Sequence, residues 1–322
     1  MNKFRTEVSL SPAIARIRLT DSILTIGSCF SDAIGNRMRS NKFNVLVNPF
    51  GTIYNPESIH KAVQYAIAGT PPSEGSFIEG QDRFLHYDFH SRFSASTRSE
   101  LERTLQSAVL QTHNFLVNSK WLIITYGTAW AYELKRTNAV VANCHKMPQN
   151  LFNKFLLTQK RILDSFQTMY AAAREFNPEI KIILTVSPVR HLKDTLELNS
   201  VSKSVLRLAC HTLSQQHSDV EYFPSYEILM DDLRDYRFYK ADMIHPSDVA
   251  EDYIWQKCVD RYFDDDAKQF LSKWKEITLA LKHRPFNRES PSHQKFISET
   301  IKRLEELKFL VNVDKEIASL KN

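Results

Sequence analysis

Apolar runs that end in turn formers alternate along this chain with segments whose apolar residues recur every three or four positions. The first kind reads as strands: SILTIG at 22–27, NVLVN at 44–48, WLIITYG at 121–127, IKIILTVSP at 180–188 and the less apolar VEYFP at 220–224. Runs that are apolar at consecutive positions suit strands covered on both faces. The second kind predicts helices over 31–41, 56–68, 98–117, 158–176, 201–216 and 247–263, several of them opening after Ser, Thr or Asn-Pro. Strand and helix in alternation build a parallel sheet with helices on both faces, so the expected fold class is α/β, doubly wound.

Two regions break the alternation. Residues 69–97 combine turn formers with aromatics and histidines and read as a long ordered insertion near one end of the sheet. Beyond about residue 266 the pattern is purely helical, with Phe296, Ile301, Leu304, Leu307 and Val311 at helical spacing after a Pro-rich break at 285–291. The expected division is therefore a core domain over 1–265 and a helical C-terminal extension over 266–322, packing on the core, on a partner or on a second copy. No repeat of fixed period is visible.

Composition narrows the function classes. With 322 residues, 43% hydrophobic and 25% charged, the chain has the makeup of a globular protein with an enzyme-sized core. The net charge of +5 comes from Lys and Arg interleaved with Asp and Glu, not from a stripe, which argues against nucleic acid as a partner. The locally basic 282–295 reads as a solvated connector. The first residues carry charges and no apolar leader segment, and no later run is long enough to span a bilayer, so no membrane association is expected. Four cysteines, at 29, 144, 210 and 258, are widely spaced, which suits a reducing compartment; the expected location is the cytoplasm.

Only seven glycines are present, and three of them, Gly27, Gly51 and Gly127, stand at or just beyond the carboxyl ends of predicted strands. That edge of an open parallel sheet is where ligands bind, and a glycine there gives either a tight turn or an N–H aimed at a substrate oxygen. Gly27 is followed by Ser28 and Cys29, ahead of a helix whose N-terminus favours developing negative charge. A hydroxyl at this place needs a base to become a nucleophile. Asp242 and His245, three apart in the loop ADMIHPS before a helix, supply a compact candidate: a carboxylate that can hold an imidazole whose other nitrogen faces across the sheet edge.

These residues carry a resemblance. A G-[DS]-S turn, a glycine after the second strand, another after the third and a late D-x-x-H resemble the four blocks of the SGNH (GDSL-type) hydrolase superfamily. The strings GSCFSDAIG, NPFGTIYNP, ITYGTAWAY, NCHKMP, SPVRH and ADMIHPS look like the GSCFA family within it. The resemblance covers about residues 20–260 and implies a three-layer α/β/α, flavodoxin-like hydrolase. Ser28 would be its nucleophile, His245 the general base and acid, and Asp242 the residue that orients His245. It also implies an oxyanion hole from the N–H groups of Ser28 and Gly51 and a group near Gly127, such as Thr128. The chain departs from the superfamily where the third block, usually G-x-N-D, reads GTAW, placing Ala129 where an asparagine amide would donate. Loss of one such donor costs about 3 kcal/mol of transition-state stabilisation. Asn143 and His145 are candidates to replace it and to contact substrate.

Cys29 is the rival nucleophile, since a thiolate at a helix N-terminus is the stronger one. Neighbours after a strand face opposite ways, so one of the two meets the site; the expectation favours Ser28, with Cys29 packed under the first helix. Cys29, Cys144 and His145 lack zinc-ligand spacing, so no metal is expected. Arg190 and His191, after the fourth strand, also reach the carboxyl edge. Arg190 either fixes an anionic group of the substrate or pairs with an acid of DDLRD at 231–235; His86 and His90 are candidates for the pocket mouth. The resulting expectation is a cofactor-independent serine hydrolase acting on a small acyl ester, including an acylated carbohydrate. The alternatives are acyl transfer to a sugar hydroxyl and a non-catalytic binding or assembly module.

Overall fold

The computed structural model describes residues 5–321 apart from 71, 73, 81, 284, 285 and 288. Parts of the Pro-rich break, the basic connector and the 69–97 insertion therefore lie outside the described residues. All five expected strands form: β1 (Ser22–Gly27), β2 (Asn44–Val47), β5 (Ser119–Tyr126), β9 (Lys181–Val186) and β10 (Val220–Phe223). They pair in parallel in the order β10-β9-β5-β1-β2. Alternation along each strand divides the core. Leu24, Ile26, Leu122, Ile124, Ile182 and Leu184 face one way; Ile23, Trp121, Ile123 and Ile183 face the other.

The first set packs under α2 (Pro56–Ala68), α3 (Arg98–Val117), α4 (Gln159–Phe176) and α5 (Thr195–Gln216), and the second under α1 (Cys29–Ser40) and α7 (Asp248–Tyr262). Local chemistry sets these boundaries. Asn55 accepts from Ser58 N with Pro56 in the first turn of α2, which ends at Gly69 in the left-handed region; Thr158 and Ser247 cap α4 and α7. Helix α5 begins at Thr195, six residues before the expected 201; residues 195–198 are all exposed, so no buried apolar stripe marks this first turn. Because β2 and β5 flank β1 on opposite sides, the chain direction switches at β1, and a crevice opens at the carboxyl ends of β1 and β5.

Two small antiparallel additions stand beside the central sheet. The 69–97 insertion contains the hairpin of β3 (Phe77–Gly80) and β4 (Arg83–His86). A three-stranded sheet of β6 (Trp130–Leu134), β7 (Val140–Val141) and β8 (Phe152–Leu156), in the order β7-β6-β8, lies between β5 and α4 and has no counterpart among the expected elements. Its strands are two to five residues long and its loop residues are polar, so no run stands out in the sequence.

After β10 come the short turn α6 (Ser225–Glu227), the loop that carries Asp242 and His245, and then α7. The C-terminal region forms α8 (Asp265–Leu281), α9 (Pro291–Glu305) and α10 (Asp314–Lys321) around their own core of Phe270, Trp274, Ile277, Leu304, Leu307, Val313 and Ile317. This unit is tied to the end of α1: Trp274 Nε1 donates to Ser40 O at 2.9 Å, and Lys42 Nζ pairs with Glu316 at 2.7 Å. Among the described residues no helix is long and apolar enough to cross a membrane.

Candidate active site

Gly27 ends β1 at φ 139°, and a Cβ there would lie 2.1 Å from Thr125 O, so only glycine lets the chain turn against β5 at this point. The turn delivers Ser28 and Cys29 with opposite orientations. Ser28 is the N-cap of α1 yet makes no side-chain cap bond; it is 1% exposed, and its Oγ is buried without a hydrogen-bond partner. Cys29 instead faces the crevice, where its Sγ lies 3.7 Å from His245 Nε2. The expected assignment is thereby reversed in geometry: the side chain that meets the histidine is Cys29, not Ser28, and Cys29 is not sealed beneath the helix.

His245 is held as the spacing suggested. Its Nδ1 lies 2.7 Å from Asp242 Oδ2, while Asp242 Oδ1 accepts from the backbone N–H groups of Ile244 at 2.9 Å and His245 at 3.0 Å. Those two N–H groups, His245 first, and then the imidazole hold the Asp242 carboxyl down to about 2. Met243 takes a left-handed φ of 59° to close this turn. The chain Asp242–His245–Cys29 thus runs from a fixed carboxylate through an oriented imidazole to a thiol.

The thiol's surroundings act in both directions. Burial, then the Asp32 carboxylate, push Cys29 above the ordinary thiol range; its own N–H, Lys203 and the N–H of Phe30 oppose this. Lys203, on α5, is fully buried, and its Nζ donates to Gly127 O and Ser187 O, both at 2.7 Å, tying together the residues that follow β5 and β9. Burial lowers its amine to about 7. The sequence reading passed over Lys203. The signal was present, since it lies in register with Leu206, Cys210 and Leu213 on the buried stripe of α5, where a lysine needs a reason.

The amides expected to form an oxyanion hole are committed elsewhere. Ser28 N donates to Thr125 O at 3.1 Å and Gly51 N to Asn48 O at 2.8 Å; Gly127 N and Thr128 N both donate to Tyr54 O, at 2.8 and 3.1 Å. Gly51, at φ 78°, serves a turn closed against the His90 side chain, 2.2 Å from where a Cβ would sit. The donors that remain near Cys29 are the first two amides of α1. On the facing wall is Asn143, whose Oδ1 accepts from His145 N at 2.8 Å, leaving its NH2 group as the donor left over.

A cavity of about 580 Å3 opens over these groups. Cys29, His245, Thr128, Asn143, His145, Arg190 and His191 all line it, whereas Ser28, Gly51 and Gly127 do not. The added sheet forms its far wall through Trp130, Tyr132 and Phe152, with Cys144 beside Asn143. His145 and Lys146 sit at φ 50° and 59°, and His145 Nε2 donates to His86 O at 2.8 Å, so the NCHKMP segment is a fixed turn rather than a loose loop. Burial lowers the His145 imidazole, and burial followed by Lys203 lowers His191 to about 4, so both are neutral near pH 7. His86 and His90 are not part of the lining; His86 is buried against Phe77 and Phe89. Among the described residues no group of three or more His, Cys, Asp or Glu side chains is placed to hold a metal ion.

The strings on which the resemblance rests thus converge on this crevice, and the model of the GSCFA family matches residues 22–258. The chain belongs to the GSCFA family. A second model, described as GSCFA domain protein, C-terminal domain, matches residues 274–322, which begin inside α8 and include α9 and α10. A comparison with curated proteins finds no match. The GSCFA match starts with β1 and ends within α7, so one family unit carries Cys29, Asp242, His245 and Lys203 together.

Proposed function

We propose that this GSCFA protein is an SGNH-type acyl hydrolase that uses a thiol, with Cys29 as nucleophile, His245 as general base and acid, and Asp242 as the group that orients His245. The observation that carries the reading is the 3.7 Å approach of Cys29 Sγ to His245 Nε2, with Asp242 2.7 Å behind the other ring nitrogen. Counted residue by residue, the superfamily turn supports Cys29 in place of the expected Ser28. In a G-[DS]-S turn the serine is the third residue, and counted from Gly27 the third residue is Cys29.

In the first step His245 Nε2 takes the Cys29 proton as sulfur attacks the acyl carbonyl of a small ester or thioester. The C–S bond forms, the bond to the leaving alkoxide or thiolate breaks, and His245 returns the proton to that group. In the second step His245 deprotonates water, which attacks the thioester carbonyl, releasing a carboxylic acid and restoring the thiol. The α1 amides of Cys29 and Phe30 and the Asn143 amide are the donors available to the oxyanion.

The test is a burst assay with an activated short-chain nitrophenyl ester on wild type, Cys29→Ala and Ser28→Ala. Release of about one nitrophenolate per chain in wild type and Ser28→Ala, absent from Cys29→Ala, is the expected result. A burst lost in Ser28→Ala and kept in Cys29→Ala restores the hydroxyl as nucleophile. No burst on wild type across esters and thioesters leaves a non-catalytic module as the better reading.

A further inference from the structure

The sequence left Arg190 two roles, a partner for the acids at 231–235 or a contact for an anionic substrate. Among the described residues Arg190 makes no ion pair with any carboxylate, although Asp231, Asp232 and Asp235 follow β10 nearby in the chain. Asp232 is taken by Arg5 and Tyr253, and Asp235 faces Arg237. The Arg190 guanidinium lies instead over two aromatic rings, 4.1 Å from the Tyr239 centroid and 5.2 Å from that of Tyr236. Contact with these rings, and a hydrogen bond with the Tyr239 hydroxyl, hold the guanidinium in place while its further N–H groups stay available to a ligand, the use arginine has in carboxylate and phosphate recognition. Its backbone is fixed as well, through Arg190 N to Ile244 O, one residue from His245.

The charge of the cavity points the same way. Its lining contains three fixed cations, Arg190, Lys193 and Lys146, against one carboxylate, Asp194, which is itself paired with Lys154. The lining histidines His145 and His191 are neutral near pH 7. A concave site with unbalanced positive charge raises the local concentration of anions.

We infer that the acyl donor used by Cys29 carries an anionic group, a carboxylate or a phosphate, that is bound by Arg190 with Lys193 and Lys146 on the rim. This rests on Cys29 as the reacting group and adds the substrate class. A neutral acetyl ester alone would leave Arg190 without a counter-charge, whereas a donor with an acidic tail fills the aromatic-walled cavity and pairs the arginine.

The test compares alkylation of Cys29 by iodoacetate and by iodoacetamide, read by peptide mass, with the same pair of rates for N-acetylcysteine. Thiolate reactivity cancels in the ratio, so the ratio reports the field of the site. At low ionic strength the iodoacetate-to-iodoacetamide ratio at Cys29 is expected to exceed that of the free thiol by about fivefold or more. It should fall toward the free-thiol value in Arg190→Gln and in high salt. Protection of Cys29 from iodoacetamide by propionate, methylphosphonate and neutral propionamide separates the sources: carboxylate, phosphate-like, or neither. A ratio equal to that of the free thiol, or equal protection by propionamide, overturns the inference. If neither reagent labels Cys29, the nucleophile reading fails on its own. The anion reading is then decided by thermal stability, since phosphate or propionate must raise the Tm of wild type by more than that of Arg190→Gln.

Discussion

Cys29 Sγ and His245 Nε2 stand 3.7 Å apart across the crevice at the carboxyl edge of the sheet, one at the start of the helix after β1 and the other in the loop before α7. More than two hundred residues separate them in sequence, and the parallel sheet brings them together by ending every strand at the same edge. The hydroxyl beside the thiol points away into the protein. Which of the two adjacent side chains meets His245 is thus set by the turn at Gly27.

Asp242→Asn keeps the loop's shape but removes the charge that holds the imidazole's N–H toward it. Acylation of Cys29 should slow by about 10²–10⁴-fold, measured by stopped-flow release of nitrophenolate, with the far-UV spectrum unchanged. Asp242 is exposed, so a loss of rate without a loss of fold is the outcome that identifies its role as orientation of His245.

Asp32, half-buried near the thiol, favours its neutral form. Lys203 favours the thiolate only while its amine is protonated, and that amine, lowered to about 7, is largely neutral where the raised thiol loses its proton. In Asp32→Asn the pH profile of Cys29 alkylation by iodoacetamide is expected to move to lower pH, whereas Lys203→Met should leave its alkaline limb in place. A shift of similar size in Lys203→Met would show that repacking, not charge, governs the thiol.

Lys203 also makes a stability prediction. Its amine titrates near 7 in the folded chain and about 10.4 when unfolded, so between those values the unfolded chain binds the extra proton. The penalty for a buried ammonium is therefore present in full below pH 7 and relieved as pH rises toward 10. The stability difference between Lys203→Met and wild type, followed by urea denaturation from pH 6 to 10, should change in favour of wild type as pH rises.

Acid acts through a different pair. Burial lowers His60 to about 3 and His191 to about 4; His60 is locked between Tyr126 OH at 2.6 Å and Ser165 Oγ at 2.7 Å. Both folded values lie below the unfolded value of about 6.5, so stability is expected to fall as pH drops from 6.5 toward 4. At pH 5 the His60 contribution alone is about 2 kcal/mol, checked by comparing urea midpoints of wild type and His60→Gln at pH 7 and pH 5.

Much of the framework was legible in the sequence because its elements obey a single period. The consecutive apolar residues of β1, β5 and β9 can only be strands covered on both faces, and the late D-x-x-H places a carboxylate and an imidazole in one turn whatever surrounds them. The small sheet of β6, β7 and β8 was not legible, since strands of two to five residues with a solvated face carry too few apolar positions to show alternation. The choice between Ser28 and Cys29 depends on the φ of Gly27 and the first turn of α1, which hydrophobic periodicity does not encode; the count along G-[DS]-S was the available signal. The amides of Gly51 and Gly127 were read as free because sequence shows where a glycine falls but not which carbonyl its N–H meets.

Gly27 itself can be tested for fold. A Cβ placed 2.1 Å from Thr125 O at φ 139° forces β1 away from β5, so Gly27→Ala should cost about 3 kcal/mol or more in urea denaturation. Gly80→Ala, where a Cβ would meet only the flexible Met147 side chain at 3.2 Å, serves as the tolerant control.

The most direct measurement is peptide mapping of wild type quenched in acid within the burst with an activated short-chain ester, locating the acyl mass by fragmentation across ILTIGSCFSD. An acyl group on Cys29, removed by neutral hydroxylamine as a thioester is, is the expected result. An acyl group on Ser28 with Cys29 unmodified would contradict a thiol nucleophile.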